Sequence, residues 1–261
     1  MESQAQRAGI VFRCLRCFFR RLAFGFLHLT VWGLEQVPVK GGAVIAGNHP
    51  SVLDGLLLLA VSPRPVRFLV AEDLYAHRYL NPFFRMLGCI PVYRTKTHNG
   101  DALRAAVAAL EAGELLGIFP EGTIHYHGSM QELKRGVALL ALKTGAPVVP
   151  LAIRGTFEAF PDGARVPHPR PVHLQFGTPV MHPKTVCDPI PNEAVVQTLE
   201  DVRQRILHTI EMTPQPTPED TVFPWVKDLH VALCSCIVVP LAGFLTLTAN
   251  QSLDPVKKAH A

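Results

Sequence analysis

The chain has 261 residues, 48% of them apolar, with 25 Lys and Arg side chains against 21 Asp and Glu. This length fits one large domain or two small ones, and the apolar share excludes a disordered chain. Gly and Pro follow no period, which excludes collagen-like and repeat architectures, and the chain is neutral outside its basic first 21 residues, which excludes a broad nucleic-acid-binding surface.

An amphipathic helix is predicted in the N-terminal segment, residues 1–34. Wound as a helix, residues 10–27 place Arg13, Arg16, Arg20 and Arg21 opposite an apolar face that includes Phe18, Phe19 and Phe26. This pattern is typical of a helix lying in a membrane interface. A helix packed on the protein core with its arginines in water has the same pattern, so both interpretations stay open. No secretory cleavage site follows, and we expect reduced thiols and a location at the cytoplasmic membrane face.

Residues 35–212 are predicted to form one α/β domain. Short apolar runs alternate with helical patterns, which indicates a central, largely parallel or mixed sheet flanked by helices. The predicted strands are Ala43–Gly47, Val66–Ala71, Cys89–Tyr93, Leu115–Phe119, Pro147–Ile153 and Val172–Phe176. The predicted helices are Val52–Val61, Tyr79–Leu87, Ala102–Ala112 with Asp101 as N-cap, Gly136–Thr144 and Glu193–Met212.

Residues 213–261 are predicted to form a C-terminal extension. Thr213–Pro224 is rich in proline and indicates a linker. Leu229–Leu253 holds 25 residues without Asp, Glu, Lys or Arg, but Pro240 interrupts it. We expect this apolar segment to contact a membrane, and whether it spans the bilayer stays open.

The loop after the first predicted strand carries a histidine and an acid. His49 and Asp54 are five residues apart, which in one continuous helix would place them about 140° apart. They can meet only if His49 lies on the loop and Asp54 in the first turn of the next helix. An Asp bound to one imidazole nitrogen leaves the other free to act as a general base. A helix-terminal acid beside an ordinary loop histidine has the same spacing, so the structural interpretation also stays open.

Two other strand ends carry polar groups. Phe119-Pro120-Glu121-Gly122-Thr123 offers a carboxylate, a glycine and a hydroxyl where a polar ligand can approach the backbone. Arg94 follows another strand, and its planar guanidinium suits a phosphate. Taken singly, an ordinary turn and a surface arginine explain these features equally well.

In their order along the chain, these segments resemble the four blocks of the glycerolipid acyltransferase family, whose best-known members are the 1-acylglycerol-3-phosphate acyltransferases. The blocks are Asn48-His49 with Asp54, Gly88 to Arg94, Phe119 to Thr123, and Val149 to Ile153, with Lys134 and Gly136 matching a lysine and a glycine that follow the third block in many members. The resemblance covers roughly residues 35–180. Its specificity comes from the His-X4-Asp block followed 70 residues later by Phe-Pro-Glu-Gly-Thr.

The resemblance implies roles for particular residues. His49 would be the general base and Asp54 its orienting partner, with Asn48, Arg94, Glu121, Gly122 and Thr123 on the substrate side. Members usually continue the third block with an arginine, whereas Ile124-His125 follow here. We therefore expect Arg94 and Lys134 to supply the positive charge for a phosphate.

The implied reaction moves a fatty acyl group from acyl-CoA or acyl-carrier protein to the free hydroxyl of lysophosphatidic acid or a related lysophospholipid, in phospholipid biosynthesis. It needs no cofactor and no metal, and the acyl group passes directly to the acceptor without an acyl-enzyme. Backbone N–H groups at the start of the helix after His49 are candidates for binding the oxyanion. Membrane lipid is the expected partner, and no nucleic acid is expected.

Three alternatives stay open. His49, His125 and His127 with nearby carboxylates could hold a divalent cation, as in a metal-dependent hydrolase. A non-catalytic membrane-binding module would explain the terminal segments, but it would assign no function to His49 and Asp54. Within the acyltransferase interpretation, glycerol 3-phosphate could replace the lysophospholipid as acceptor.

Overall fold

The computed structural model describes residues 4–93, 99–124, 130–161 and 163–217, and for residues 4–12, 15 and 99 it describes the backbone alone. The strands are β1 Leu29–Trp32, β2 Ala43–Gly47, β3 Val66–Ala71, β4 Ile90–Val92, β5 Leu115–Ile118, β6 Val148–Arg154 and β7 Val172–Phe176. The helices are α1 Gln4–Phe26, α2 Leu53–Val61, α3 Glu72–Tyr75, α4 Asn81–Met86, α5 Asn99–Glu111, α6 Gly136–Thr144, α7 Thr156–Ala159 and α8 Asn192–Met212.

These strands form one mixed sheet in the order β1-β7-β6-β2-β5-β3-β4. β6, β2, β5, β3 and β4 run parallel to one another, whereas β7 is antiparallel to β6 and parallel to β1. The predicted α/β class with a largely parallel or mixed sheet is therefore confirmed. Because β6, β2 and β5 are parallel neighbours, their C-terminal ends meet at one edge of the sheet.

Helices cover the central strands on both faces. All five residues of β2 are buried, as expected for a parallel strand between two helical layers. Side chains alternate along it: Ile45 packs with α1 and α2, whereas Val44 and Ala46 pack with α5, α6 and α8. The continuous apolar runs in the sequence follow from this double coverage.

The second half of α1 packs against the domain. Phe19, Ala23 and Phe26 are buried in the same core as α2, whereas Phe18 and Phe24 are exposed. Phe19 and Phe26 of the predicted apolar face are thus directed at the protein core, whereas Phe18 of the same face is not. Within the described residues, no helix combines the length and the apolar character needed to cross a membrane.

Some element boundaries differ from those predicted. β1 was not predicted: it lies within the predicted N-terminal segment 1–34 and pairs with β7. Asp101 is not an N-cap, because α5 begins two residues earlier and Asp101 lies in its first turn, paired with Arg104. α8 ends at Met212 as predicted, and Leu229–Leu253 lies outside the described residues.

Candidate active site

A polar cluster lies at the edge where β2, β5 and β6 end. The loop after β2 supplies Asn48 and His49, the first turn of α2 supplies Asp54, and the loop after β5 supplies Glu121. The parallel arrangement of the strands brings together residues that are 72 positions apart in the chain. This is the edge at which open α/β sheets bind their ligands.

His49 and Asp54 are in direct contact. The distance from His49 Nδ1 to Asp54 Oδ2 is 2.7 Å. The contact forms because His49 precedes the helix and Asp54 is the second residue of α2, which is the arrangement that their spacing required. With the carboxylate ionised, Nδ1 carries the hydrogen and donates it to Asp54. This fixes the tautomer in which Nε2 has a free lone pair.

Asp54 is completely buried and belongs to a small hydrogen-bond network. Its Oδ2 also accepts a hydrogen bond from the backbone N–H of Ser51, at 2.8 Å. Burial raises the pKa of the carboxyl, and the hydrogen bonds and charge of His49, followed by the Ser51 N–H, act in the opposite direction. Keeping Asp54 ionised therefore depends on the groups that surround it.

The ring of His49 is oriented by its neighbours and remains partly exposed to solvent. Its side chain keeps 18% of its surface exposed, whereas Asp54 has none. The ring of Phe119 stacks on the imidazole, with 4.1 Å between the ring centres and 10° between the planes. Stacking and the bond to Asp54 together fix the direction of Nε2. A substrate proton can then be accepted without reorganising the ring.

Asn48 acts on the backbone of β6 in this structure. Its Nδ2 donates to the carbonyl oxygen of Ile153 at 2.9 Å, and its Oδ1 accepts from the N–H of Ile153 at 2.8 Å. Both ends of the amide are therefore engaged with one residue. Its side chain joins the His49 loop to the end of β6, and a contact between Asn48 and substrate stays a prediction.

The side chain of Glu121 also binds the loop that carries His49. It is 5% exposed, and its Oε1 accepts the backbone N–H of His49 at 3.1 Å while its Oε2 accepts that of Gln131 at 3.1 Å. Each oxygen thus accepts one main-chain N–H, and Glu121 joins the His49 loop to the segment that precedes α6. Its predicted place on the substrate side stays a prediction.

Gly122 and Lys134 lie against each other. A Cβ added at Gly122 would lie 2.4 Å from Lys134 Nζ, and Gly122 has a φ of +71°, which disfavours any other residue. The N–H of Lys134 donates to the Pro120 carbonyl oxygen at 2.8 Å. The exposed lysine therefore places its ammonium beside the third sequence block, as its predicted role in binding a phosphate requires.

Of the other predicted site residues, the structure describes Thr123 but not Arg94, His125 or His127. Thr123 is exposed in the same loop. β4, which ends at Val92, lies three strands from β2, a distance of about 14 Å.

The predicted oxyanion donors at the start of α2 are mostly occupied. The N–H groups of Ser51, Leu53 and Asp54 bind the Asp54 carboxylate, the Ser51 hydroxyl and the Ser51 carbonyl oxygen. That expectation is therefore wrong for these three groups. No set of three or more His, Cys, Asp or Glu side chains in the described ranges could hold a metal ion.

Two contributors were missed by sequence reasoning. Phe119 belongs to a block that was noticed, but nothing in its spacing indicated that its ring would stack on His49. Ser51 could have been found, because a backbone N–H three residues before a helix-terminal acid is a common capping partner.

The chain is similar in sequence to known acyltransferases. The family model described as Acyltransferase matches residues 28–154, from just before β1 to the end of β6. A 1-acyl-sn-glycerol-3-phosphate acyltransferase of Borreliella burgdorferi is 30% identical over 135 residues, which are 51% of this chain and 54% of that protein. The chloroplastic 1-acyl-sn-glycerol-3-phosphate acyltransferase LPAT1 of Arabidopsis thaliana is 29% identical over 54% of this chain and 40% of that protein. This chain thus spans about half the length of these relatives.

The fold has a solved counterpart. The crystal structure of the 1-acyl-sn-glycerophosphate acyltransferase PlsC from Thermotoga maritima superposes with a TM-score of 0.64 at 27% identity, covering 81% of this chain and 83% of that one. The order of the sequence blocks, the sheet that gathers them and the relatives that share them agree, and residues 28–154 are similar to the glycerolipid acyltransferases in sequence and in fold.

Proposed function

We propose that this protein transfers a fatty acyl group from an acyl thioester to the free hydroxyl of lysophosphatidic acid or a related lysophospholipid. The observation that carries the proposal is the contact of 2.7 Å between His49 Nδ1 and the buried Asp54, at the sheet edge where ligands bind. Relatives named as 1-acyl-sn-glycerol-3-phosphate acyltransferases support the choice of acceptor.

In the proposed reaction, His49 Nε2 removes the proton of the acceptor hydroxyl as its oxygen attacks the thioester carbonyl. Positioned base catalysis of this kind contributes about 10²–10⁴-fold. Asp54 stabilises the imidazolium that forms. The tetrahedral intermediate then collapses, the C–S bond breaks, and the imidazolium returns the proton to the leaving thiolate. The acyl group reaches the acceptor directly, so no acyl-enzyme forms.

Recognition of the acceptor phosphate is assigned to Lys134 and Arg94. Lys134 is supported by its position against Gly122, and Arg94 by its place in the second sequence block. Thr123 is proposed to donate its hydroxyl to the same substrate. A lysine ammonium and an arginine fork together would match the two charges of a phosphate monoester.

The direct test is acyl transfer by the purified full-length protein in detergent. Radiolabelled acyl-CoA and, separately, acyl-carrier protein are offered with lysophosphatidic acid, glycerol 3-phosphate or lysophosphatidylcholine. We expect phosphatidic acid as the main product, free thiol in equal amount, and no label on the protein. Hydrolysis of the donor without an acylated acceptor, or label trapped on the protein, would contradict the proposal.

Glu121→Gln tests whether this residue positions His49. The amide oxygen of glutamine can still accept one of the two main-chain N–H groups, those of His49 and Gln131. Its NH2 group would face the other N–H, and a buried donor without a partner costs about 1–3 kcal/mol. We expect kcat to fall about tenfold, a value corresponding to about 1.4 kcal/mol, with the KM for the acceptor unchanged. Glu132→Gln, on an exposed residue of the same segment, is the control. A rise in acceptor KM at constant kcat would instead place Glu121 on the substrate.

Gly122→Ala tests the position of Lys134. The new methyl group would collide with the lysine ammonium and strain a backbone with positive φ. We expect the KM for lysophosphatidic acid to rise about tenfold, because a hydrogen bond to a charged group contributes about 1.5–3 kcal/mol. Gly136→Ala is the matched control, since a Cβ there meets nothing within 4 Å. Equal acceptor KM values in both variants would exclude this role for Lys134.

We further propose that the exposed side of α1 contacts the membrane at its cytoplasmic face. Phe18 and Phe24 are 41% and 43% exposed, Arg20 and Arg21 are exposed as well, and the Arg20 guanidinium lies 5.4 Å from the centre of the Phe24 ring. Aromatic rings next to arginines suit an anionic lipid surface. The apolar segment Leu229–Leu253 is proposed as a second contact.

Phe18→Ser with Phe24→Ser tests this surface better than truncation of residues 1–34, which would also remove β1. We expect binding to vesicles of equal parts phosphatidylcholine and phosphatidylglycerol to weaken about 30-fold, at roughly 1 kcal/mol for each ring. The control pair is Val196→Ser with Met212→Ser, two exposed apolar residues of α8. Sedimentation with vesicles is measured, and unchanged binding of the phenylalanine variant would rule out α1 as a contact.

A further inference from the structure

Two buried oxygen atoms beside the site lack ordinary hydrogen-bond partners. Oδ2 of Asp54 binds His49 and Ser51, but Oδ1 of the same carboxylate has no partner of normal geometry among the described residues. The hydroxyl of Thr156, a residue with no exposed surface, is in the same situation. Buried polar groups are rarely left unpaired in folded proteins. A carboxylate oxygen accepts and a hydroxyl donates, so each atom is what the other lacks.

Thr156 lies just after the end of β6, at the start of α7. Asn48 binds both main-chain groups of Ile153, three residues before Thr156, and so couples β6 to the His49 loop. Gly155 then turns the chain with a φ of +85°, and a Cβ on it would lie 2.2 Å from the carbonyl oxygen of Pro171. Thr156 begins α7 directly after this turn. The main-chain position of Thr156 is therefore set by the turn at Gly155 and by the bonds that join β6 to the His49 loop.

We infer that Thr156 is a positioning residue whose hydroxyl donates a hydrogen bond to Asp54 Oδ1 as charge develops on His49. The inference rests on the proposed function, since it assigns Thr156 a part in orienting the proposed base. Thr156 does not touch the reacting atoms, and it acts through Asp54.

The electrostatics of the carboxylate support this role. Burial raises the pKa of Asp54, whereas the Thr156 hydroxyl acts in the lowering direction, together with His49 and the Ser51 N–H. A protonated Asp54 could not stabilise an imidazolium, so a hydroxyl that favours the ionised form favours the catalytic step.

The test compares Thr156→Ser with Thr156→Ala. Both variants lack the γ-methyl group of threonine and differ from each other only in the hydroxyl oxygen, so their difference reports the hydroxyl. We expect the serine variant to retain a kcat within a few-fold of the unmodified protein, and the alanine variant to be about tenfold slower than the serine variant with unchanged KM values, as loss of a hydrogen bond to a charged group predicts. In an Asp54→Asn background, serine and alanine at this position should give equal kcat values.

A matched pair controls for the loss of a buried hydroxyl in general. Thr198 is 5% exposed on α8, so Thr198→Ser and Thr198→Ala should differ in melting temperature but not in kcat. If serine and alanine at position 156 give kcat values within twofold of each other, the inference is wrong. It is also wrong if their tenfold difference persists in the Asp54→Asn background, because the hydroxyl would then act on something other than Asp54.

A spectroscopic readout separates this inference from the proposed function. The Nδ1–H proton of a histidine bound to a carboxylate is observed by NMR in histidine-labelled protein, and His49→Gln identifies the signal by its loss. We expect this signal to shift in Thr156→Ala but not in Thr156→Ser or in the Thr198 variants. An unshifted signal in Thr156→Ala overturns the role of Thr156. If the unmodified protein shows no acyl transfer but the Nδ1–H signal still shifts in Thr156→Ala, the proposed function is contradicted and the role of Thr156 is not.

Discussion

His49→Gln is expected to lower kcat for acyl transfer by about 10²–10⁴-fold, the contribution of a positioned general base. Glutamine can still offer an amide hydrogen to Asp54, but it cannot accept a proton from the acceptor hydroxyl. KM values should change little, because Nε2 acts on the reacting proton and the binding groups stay in place. Steady-state kinetics with labelled acyl-CoA and lysophosphatidic acid give both quantities.

A second histidine–aspartate contact, outside the candidate site, provides a control for His49→Gln. His182 Nε2 lies 3.1 Å from Asp201 Oδ2 on α8, a second histidine–aspartate contact whose residues belong to no sequence block. His182→Gln should therefore leave kcat unchanged. If His49→Gln retained activity within a few-fold of the unmodified protein, His49 would not be the base.

Asp54→Asn is expected to produce opposite changes in activity and in stability. The neutral amide can keep the geometry of the network but cannot stabilise an imidazolium. We expect kcat to fall roughly tenfold to 150-fold, corresponding to about 1.5–3 kcal/mol for a hydrogen bond between charged groups.

The stability change follows from the direction of the pKa shift. Burial raises the pKa of Asp54 in the folded protein. The folded state therefore binds more protons than the unfolded state once pH exceeds the unfolded value, and stability falls as pH rises through that window. Removing the charge removes this cost, so the melting temperature of Asp54→Asn at pH 7 should equal or exceed that of the unmodified protein. A variant that is both slower and less stable would show that Asp54 has a mainly structural role.

The contact between His49 and Asp54 could be predicted because its determinants are local. A spacing of five is incompatible with contact inside one helix, but it fits a loop residue followed by a helical first turn. The buried strands were predictable for a similar reason, since β2, β3 and β7 are short apolar runs that begin and end as expected. These features depend on residues that are neighbours in the chain.

The roles of Asn48 and Glu121 depend on distant main-chain groups and could not be predicted. Asn48 binds a residue 105 positions away, and Glu121 binds the N–H of a residue 72 positions away. A backbone N–H or carbonyl oxygen has no signature in the side-chain sequence. Thr156 was missed because it lies 102 positions from Asp54 in the chain, and only the fold brings the two side chains together. β1 was missed because it is a four-residue strand that follows α1 after a two-residue connection.

The cooperation of His49 and Asp54 is tested most directly by a double-mutant cycle on kcat. If Asp54 acts only through the imidazole, the protein carrying both His49→Gln and Asp54→Asn should be no slower than His49→Gln alone. If the two losses multiply instead, Asp54 contributes to the reaction without His49, and the two residues do not work as a unit.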